Sequence, residues 1–452
     1  MTLKIAFVGA GSRSFARRVF ADILLSDLFC QQELELALMD LVAENMADNA
    51  AFLRQHVARL GRPIRVTTTT TELEPAIAGA DFVITAVEVN RYLYWAQDFH
   101  IPRKYGFRQV YGENGGIGGI FHALRNMGPM VRIARAMERL CPDAWLLNFA
   151  NPEQRLIEAV TRLTSVKAVG LCHGVGMGQR QIAMILDRPL EELETAACGI
   201  NHFTWFQTIR DRRTGKDLYP LLRERALAGD PLAHWHDLAL GRVLLRQFGL
   251  WPSPATNHYG EYIRWADEVM ASEMHYYYDP ADGHPWETGR IPEFVYTIDR
   301  INTDRPWMGD PSKGREHVEG EVSDALRPSG ELAAPLMEGV ACGLPRPLDA
   351  INVPNRGAIP DLPDALVVEV PGVADADGVR AVPMAPLPEP VAALIRTQAS
   401  IHKLIVEAFA EGSKNKLIQA VLLEPTVDSY RRAIPMVDEF LALQKELLPD
   451  LR

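Results

Sequence analysis

The opening residues constrain the fold most. Lys4–Gly9 is a short apolar run, Gly9-Ala10-Gly11-Ser12 completes it without a gap, and an amphipathic stretch, Phe15–Leu28, comes next. This is the pattern of a buried parallel strand that ends in a glycine turn and opens onto a helix N-terminus. Glycines there let the backbone turn tightly and lie close to a pyrophosphate, to which the amides at the helix start donate. The following apolar run, Glu35–Leu38, ends at Asp40, where an acid in this arrangement grips ribose hydroxyls. Two features depart from the usual fingerprint. Ser14 stands where a third glycine is common, and Asp40 lies beyond the usual spacing of about 20 residues. The plainer alternative is a simple turn with Asp40 as a cap. The reading adopted makes Gly9, Gly11, Ser12 and Asp40 a dinucleotide site.

The pattern continues as strand and helix in alternation. Asn45–Leu60 reads as helix, Ile64–Thr70 as strand, Leu73–Ala78 as a short helix and Asp81–Val87 as strand. Arg125–Leu140 reads as helix, and Ala144–Phe149 and Val166–Leu171 as strands. Such alternation predicts a doubly wound parallel sheet, with ligands at the C-terminal strand ends. After residue 195 the texture changes. Cys198–Ile209 reads as one strand, Pro220–Phe248, Val391–Glu411 and Tyr430–Leu447 as helical stretches, and Val353–Gly378 as strands and turns. Asp304–Arg315 reads as a surface loop or lid. The expected architecture is α/β: a Rossmann-type domain over 1–195 and a C-terminal α/β domain over 196–452.

Composition narrows the function classes. The net charge of −11, from 58 acidic and 47 basic residues, disfavours a nucleic-acid surface, which needs a positive footprint. The five cysteines, Cys30, Cys141, Cys172, Cys198 and Cys342, are scattered and odd in number, so they imply no disulfide framework and suit a reducing cytoplasm. The N-terminus reads as a strand rather than a signal peptide, and no apolar run reaches the roughly 18 residues of a membrane span. The expectation is a cytoplasmic enzyme acting on a small molecule, without nucleic-acid or membrane partners.

Polar residues gather at the predicted strand ends. Cys172 and His202 end two strands about thirty residues apart. A thiolate and an imidazole suit an open catalytic metal site, yet by spacing alone a buried cysteine and a hydrogen-bonded histidine explain the pair better. His173 is a proton donor, a metal neighbour or a structural histidine. Asn148 and Asn151, in NFANP, face ribose or sugar hydroxyls, or Asn151-Pro152 simply starts a helix. The glycine-rich stretch Tyr111–Gly119, with Glu113, reads as a flexible loop that closes over a substrate or makes a long turn. Asn257–Trp265 packs polar groups around one glycine, unlike a core stripe.

With these residues in view, the chain resembles the family 4 glycoside hydrolases nearly end to end. The shared stretches are GAGS, IPRKYG at 101–106, GENGGIGGIFHALRN at 112–126, NFANP at 148–152, GLCHGV at 170–175, GINHF at 199–203, HYGEYIRWA at 258–266, NRGAIPDLPDALVVEVP at 355–371 and LLEPTV at 422–427. The resemblance implies a fold like that of lactate and malate dehydrogenases, and NAD+ and Mn2+ (or another divalent metal) as cofactors. It also implies hydrolysis by redox and elimination: oxidation of the sugar at C3, loss of the C2 proton, departure of the aglycone from C1, addition of water and re-reduction. This is an exception to the two-carboxylate scheme of most glycosidases. It casts Cys172 and His202 as metal ligands, Tyr259 as the C2 base, Asn151 as a sugar contact and Asn148 as a cofactor or sugar contact. His173 and Glu113 are the candidates for the acid that assists the leaving group. Cys172-His173-Gly174-Val175 departs from the Cys-Asp/Asn-x-Pro pattern of phospho-glycosidases. Together with HYGEYIRWA it resembles the α-glucuronidase and α-galacturonidase subgroups, with Arg91 or Arg264 as carboxylate partner. The alternatives are an α-glucosidase or α-galactosidase of the same family, a 2-hydroxy-acid dehydrogenase and a non-catalytic NAD sensor. The resemblance further implies a homodimer or homotetramer.

Overall fold

The structure, a computed structural model, describes residues 2–12, 15–89, 91–108, 110–228, 238–269 and 326–452; the Asp304–Arg315 stretch lies outside them. β1 (Leu3–Val8), β2 (Leu34–Met39), β3 (Ile64–Thr70), β4 (Phe82–Thr85), β5 (Trp145–Asn148) and β6 (Lys167–Gly170) form a parallel sheet in the order β3-β2-β1-β4-β5-β6. This is the Rossmann order, and the order reverses between β1 and β4, where doubly wound sheets bind their ligands. In β1, Ile5 and Phe7 pack on one face while Ala6 and Val8 pack on the other, the two-residue period of a strand covered on both sides.

The sheet does not stop at β6. β10 (Arg346–Pro354) joins it antiparallel at Asn352↔Gly170, and β11 (Val367–Asp375), β7 (Leu193–Ile200), β8 (Phe203–Asp211) and β9 (Trp251–Ser253) follow in that order. With β12 (Gly378–Ala381) beside β11, the sheet has twelve strands among the described residues. Residue 195 lies inside β7, and the sheet runs on across it. Three late helices, Glu389–Glu411, Lys414–Leu423 and Tyr430–Leu443, fold back onto the Rossmann half. Ile401, Ile405 and Phe440 share a core with Ile120 and Phe121 of the helix Gly116–Leu140, and the Phe121 and Phe440 rings stack with centroids 3.9 Å apart.

Two expectations are corrected. Cys198–Ile209 is not one strand but the middle of a hairpin, because Asn201-His202 turns the chain between Ile200 and Phe203. The glycine-rich stretch is not a flexible loop throughout: Gly116–Gly119 form the first turn of a helix and are buried. Glycine is needed there for close approach. A Cβ on Gly118 would lie 2.5 Å from the Asp98 carbonyl oxygen. Pro220–Phe248 is helical at Tyr219–Leu227 and Ala239–Phe248, with residues 229–237 outside the described set.

Candidate active site

The glycine turn forms as the sequence predicts. Gly9 has φ +88°, open to glycine at little cost, and a Cβ there would collide with the Ala86 carbonyl at the end of β4. The Gly9 and Ala10 amides both donate to the Met39 carbonyl (2.9 Å each), which ties the turn to the end of β2. The Asp40 carboxylate accepts from the Gly11 amide (2.8 Å) and the Val42 amide (3.0 Å), so it holds the loop. Ser12 leads from this turn into a cleft of about 430 Å³ at the C-terminal strand ends. A larger cavity, about 650 Å³, opens at the opposite ends of the strands beside Asp81 and Asp143, away from all of these groups.

The cleft gathers Arg91, Glu113, Asn151, Cys172, His173 and His202, and adds His258, which the sequence reading passed over in favour of its neighbour. His202 stands at the tip of the β7–β8 hairpin with φ +63°, a left-handed conformation that costs a non-glycine residue on the order of 1 kcal/mol or more. Among the described residues, Glu113, His202 and His258 bring one ligand atom each within 4.8 Å of one another. His202 Nδ1 and His258 Nε2 lie 3.8 and 3.9 Å from Glu113 Oε2. His258 Nδ1 is 2.7 Å from Asn257 Oδ1, which orients its ring. His202 Nδ1 is buried with no hydrogen-bond partner among the described residues.

Charge in the cleft is set by burial and by Arg91. Burial works against the ionised Glu113, but the Arg91 guanidinium, joined by His202 and His258 as they protonate in acid, outweighs it and holds its carboxyl at about 2. Burial likewise opposes an ionised Glu88, and His122 and Arg91 bring it to about 2. Arg91 is ion-paired to both carboxylates. Burial lowers His258 to about 4 and His202 well below the usual imidazole range, so both rings are neutral and offer lone pairs at neutral pH. Cys172 is half-buried, and its sulfur accepts from the Gly174 amide at 3.3 Å. Burial, with Glu369 and Glu153 nearby, pushes its thiol well up. His173 is exposed on the rim, its Nδ1 3.6 Å from Glu331.

Three residues named from the sequence lie elsewhere. Asn148 is fully buried and its amide is spent locally: Oδ1 accepts from Thr85 (2.9 Å) and the Ala150 amide (3.0 Å), and Nδ2 donates to the Ala150 carbonyl (2.9 Å). It shapes the NFANP turn from which Asn151 reaches the cleft. Tyr259 is fully buried, its hydroxyl 2.9 Å from Thr256 Oγ1 and packed against Gly241; it is not part of the cleft lining. Arg264 is exposed in a separate surface pocket beside Arg108 and Trp265.

The strand order and the cleft define a Rossmann-type α/β protein with a carboxylate and two imidazoles clustered at the C-terminal strand ends. Residues 4–188 match the family 4 glycosyl hydrolases, and residues 197–427 match the C-terminal domain of the same family. An α-glucosidase of Erwinia rhapontici is 31% identical over the full length of both chains. An α-galacturonidase of Lachnoclostridium phytofermentans is 27% identical over 99% of this chain and 97% of its own. In fold, the chain is similar to a gut-microbial 6-phospho-α-glucosidase solved in complex with NAD and Mn2+ (TM-score 0.74, 21% identity, 100% of both chains). A malate dehydrogenase of Salinibacter ruber shares the fold more loosely (TM-score 0.51, 14% identity, 90% of this chain and 98% of that one). The chain belongs to glycosyl hydrolase family 4 and is a glycoside hydrolase. Among its described residues no helix is long and apolar enough to cross a membrane.

Proposed function

We propose that this enzyme hydrolyses α-glycosides with NAD+ at the Gly9–Ser12 turn and a divalent cation, Mn2+, in the cleft beside it. The observation that carries the reading is one cleft in which a glycine turn that a Cβ would block adjoins a buried carboxylate and two neutral imidazoles. The donor set suits a hard-to-borderline divalent ion, and the unpartnered His202 Nδ1 is an orphan that a cation would satisfy. His202 with Glu113 and His258 would hold it, and Cys172, on the same cleft, is the further ligand that the family resemblance supplies. When bound, NAD+ provides a hydride acceptor and the metal a Lewis acid for sugar hydroxyls and the charge that develops on them.

The chain's own residues then bind and orient. Asn151 Oδ1 is held by Asn114 Nδ2 at 3.4 Å, which fixes an amide at the cleft for a sugar hydroxyl. Glu113 is buried and committed to Arg91, whereas His173 stands at the rim; burial, Arg18 and Arg180 lower its pKa below the usual imidazole range, so as the acid for the departing aglycone oxygen it would relay a proton taken up from solvent. Tyr259 serves as packing beneath the site, because its hydroxyl is enclosed by Thr256 and Gly241.

The sugar is an unphosphorylated hexopyranoside, since His173-Gly174-Val175 follows Cys172. Within that class a neutral sugar fits best. Arg91 is neutralised by Glu88 and Glu113, and Arg264 lies outside the cleft. One observation favours a uronide instead: Arg18 lines the cleft with its side chain 53% exposed, only 3.6 Å from Glu331 but open to a carboxylate. A panel of nitrophenyl α-glucoside, α-galactoside, α-glucuronide and α-galacturonide, assayed under reducing conditions with and without Mn2+ and NAD+, tests all of this. The expected result is turnover of a neutral α-glycoside that needs both cofactors and yields no net NADH. Preference for a uronide overturns the neutral-sugar reading. Activity undiminished after EDTA removes the metal, and stoichiometric NADH makes the chain a dehydrogenase.

A further inference from the structure

The Gly260–Tyr262 turn, just after His258, binds the segments that carry the other two members of the cation cluster, Glu113 and His202. Glu261, 1% exposed, reaches across to the segment before the long helix Gly116–Leu140. Its Oε1 accepts from the Glu113 amide at 2.6 Å, its Oε2 accepts from the Asn114 amide at 3.1 Å, and the Gly115 amide also donates to it. Three consecutive amides thus converge on one carboxylate. The helix has no acidic residue in its own first turn and is preceded by Gly115, which has no side chain to cap it. Glu261 therefore supplies the hydrogen-bond acceptors that this helix N-terminus lacks, while burial and the neighbouring Glu113 push its carboxyl well above the usual range against the pull of the three amides. The fit is close: a Cβ on Gly115 would lie 2.7 Å from the Glu261 Cβ.

The segment so held carries two working side chains. Glu113 turns its carboxylate toward His202 and His258. Asn114 donates to Asn201 Oδ1 at 3.0 Å, beside His202 on the hairpin tip. The next residue after Glu261 secures the same tip, since the Tyr262 hydroxyl donates to the Asn201 carbonyl at 3.3 Å. His258 lies just upstream on the same stretch of chain.

We propose that Glu261 is a positioning residue: its carboxylate grips the backbone at residues 113–115 and so sets Glu113 against His202 and His258 as a preformed cation site. The proposal rests on the metal-dependent reading above. A residue that supports a metal ligand affects affinity by about 10–100-fold, whereas a helix cap alone affects only stability.

The test is the Mn2+ affinity of the full-length protein, read from the electron paramagnetic resonance signal of free Mn2+, alongside NAD+ affinity and melting temperature. For Glu261→Gln we expect Mn2+ to bind about 10–100-fold more weakly, kcat to fall with it, and NAD+ affinity to stay within twofold. Glu261→Asp keeps a carboxyl group on a shorter side chain and should give an intermediate loss, which preserves the test if the glutamine variant does not fold. A folded variant of either kind with wild-type Mn2+ affinity and only a lower melting temperature overturns the proposal. Wild-type protein that takes up no Mn2+ overturns the metal reading itself, a distinct outcome.

Discussion

The two walls of the cleft are made by different means. The proposed nucleotide wall is backbone: Gly9, Ala10 and Gly11 turn beside the cleft at the end of one strand, and the neighbouring strands only tie them down. The proposed cation wall is side chain: Glu113, His202 and His258 come from three distant segments and meet only because the sheet and the Gly260–Tyr262 turn bring them together. A backbone site tolerates changes of side chain and fails when a Cβ intrudes. A side-chain site fails with any one of its members, or with whatever holds them. If the walls are as separate as this, damage to one should leave binding at the other intact.

The largest effect should come from His202→Asn. Asparagine accepts the left-handed conformation, so the variant should melt at or above the wild-type temperature. Losing a ligand to a Lewis acid worth several kcal/mol should nevertheless cut kcat by about 1000-fold. Retained activity would remove His202 from the cation wall. Next is Gly9→Val. The new side chain meets the Ala86 carbonyl at a φ that valine avoids, and NAD+ affinity by calorimetry should fall by at least about 100-fold, the worth of two or three hydrogen bonds. Mn2+ affinity should not move; a parallel loss of both would show that the walls are one unit.

Tyr259→Phe separates the packing role from the role that the family resemblance gives this tyrosine. For a buried hydroxyl bonded to Thr256 the cost is about 1 kcal/mol of stability, with exchange of the sugar's C2 proton into deuterated solvent largely kept. Loss of that exchange would return Tyr259 to the chemistry. The smallest effect lies outside both walls. Burial raises the Glu424 carboxyl to about 7 against the pull of Arg155. Its folded value is above its unfolded one, so the stability it contributes is present below about pH 4.5 and is lost as pH rises through 7. Glu424→Gln should therefore match wild type in urea unfolding at pH 4.5 and exceed it by about 1–3 kcal/mol at pH 8. The same difference at both pH values would refute the shift.

This contrast also explains what the sequence could show. The strands of the Rossmann half and the Gly9–Ser12 turn are local patterns, and they appear where the apolar period and the glycines put them. The hairpin at Asn201-His202 was obscured by apolar residues on both sides; the asparagine in mid-run is the turn signal that a single long strand overlooks. The glycines at 116–119 resemble a loop by composition, and only the Asp98 carbonyl packed against Gly118 reveals a helix that must approach closely. His258 was hidden because HYGEY offers a histidine and tyrosines side by side. Which of them faces the cleft is decided by a single short helical turn, Thr256–Tyr259, and by what already fills the space around Gly241.

The late helices that cover Gly116–Leu140 set a timetable for synthesis. The dinucleotide half leaves the ribosome first, with Phe121 and Ile120 in need of a cover that includes Phe440. Until the helix Tyr430–Leu443 emerges, the nascent chain carries an oily stripe that a chaperone must hide. A stop codon ahead of Tyr430 should therefore yield inclusion bodies rather than a smaller NAD-binding protein.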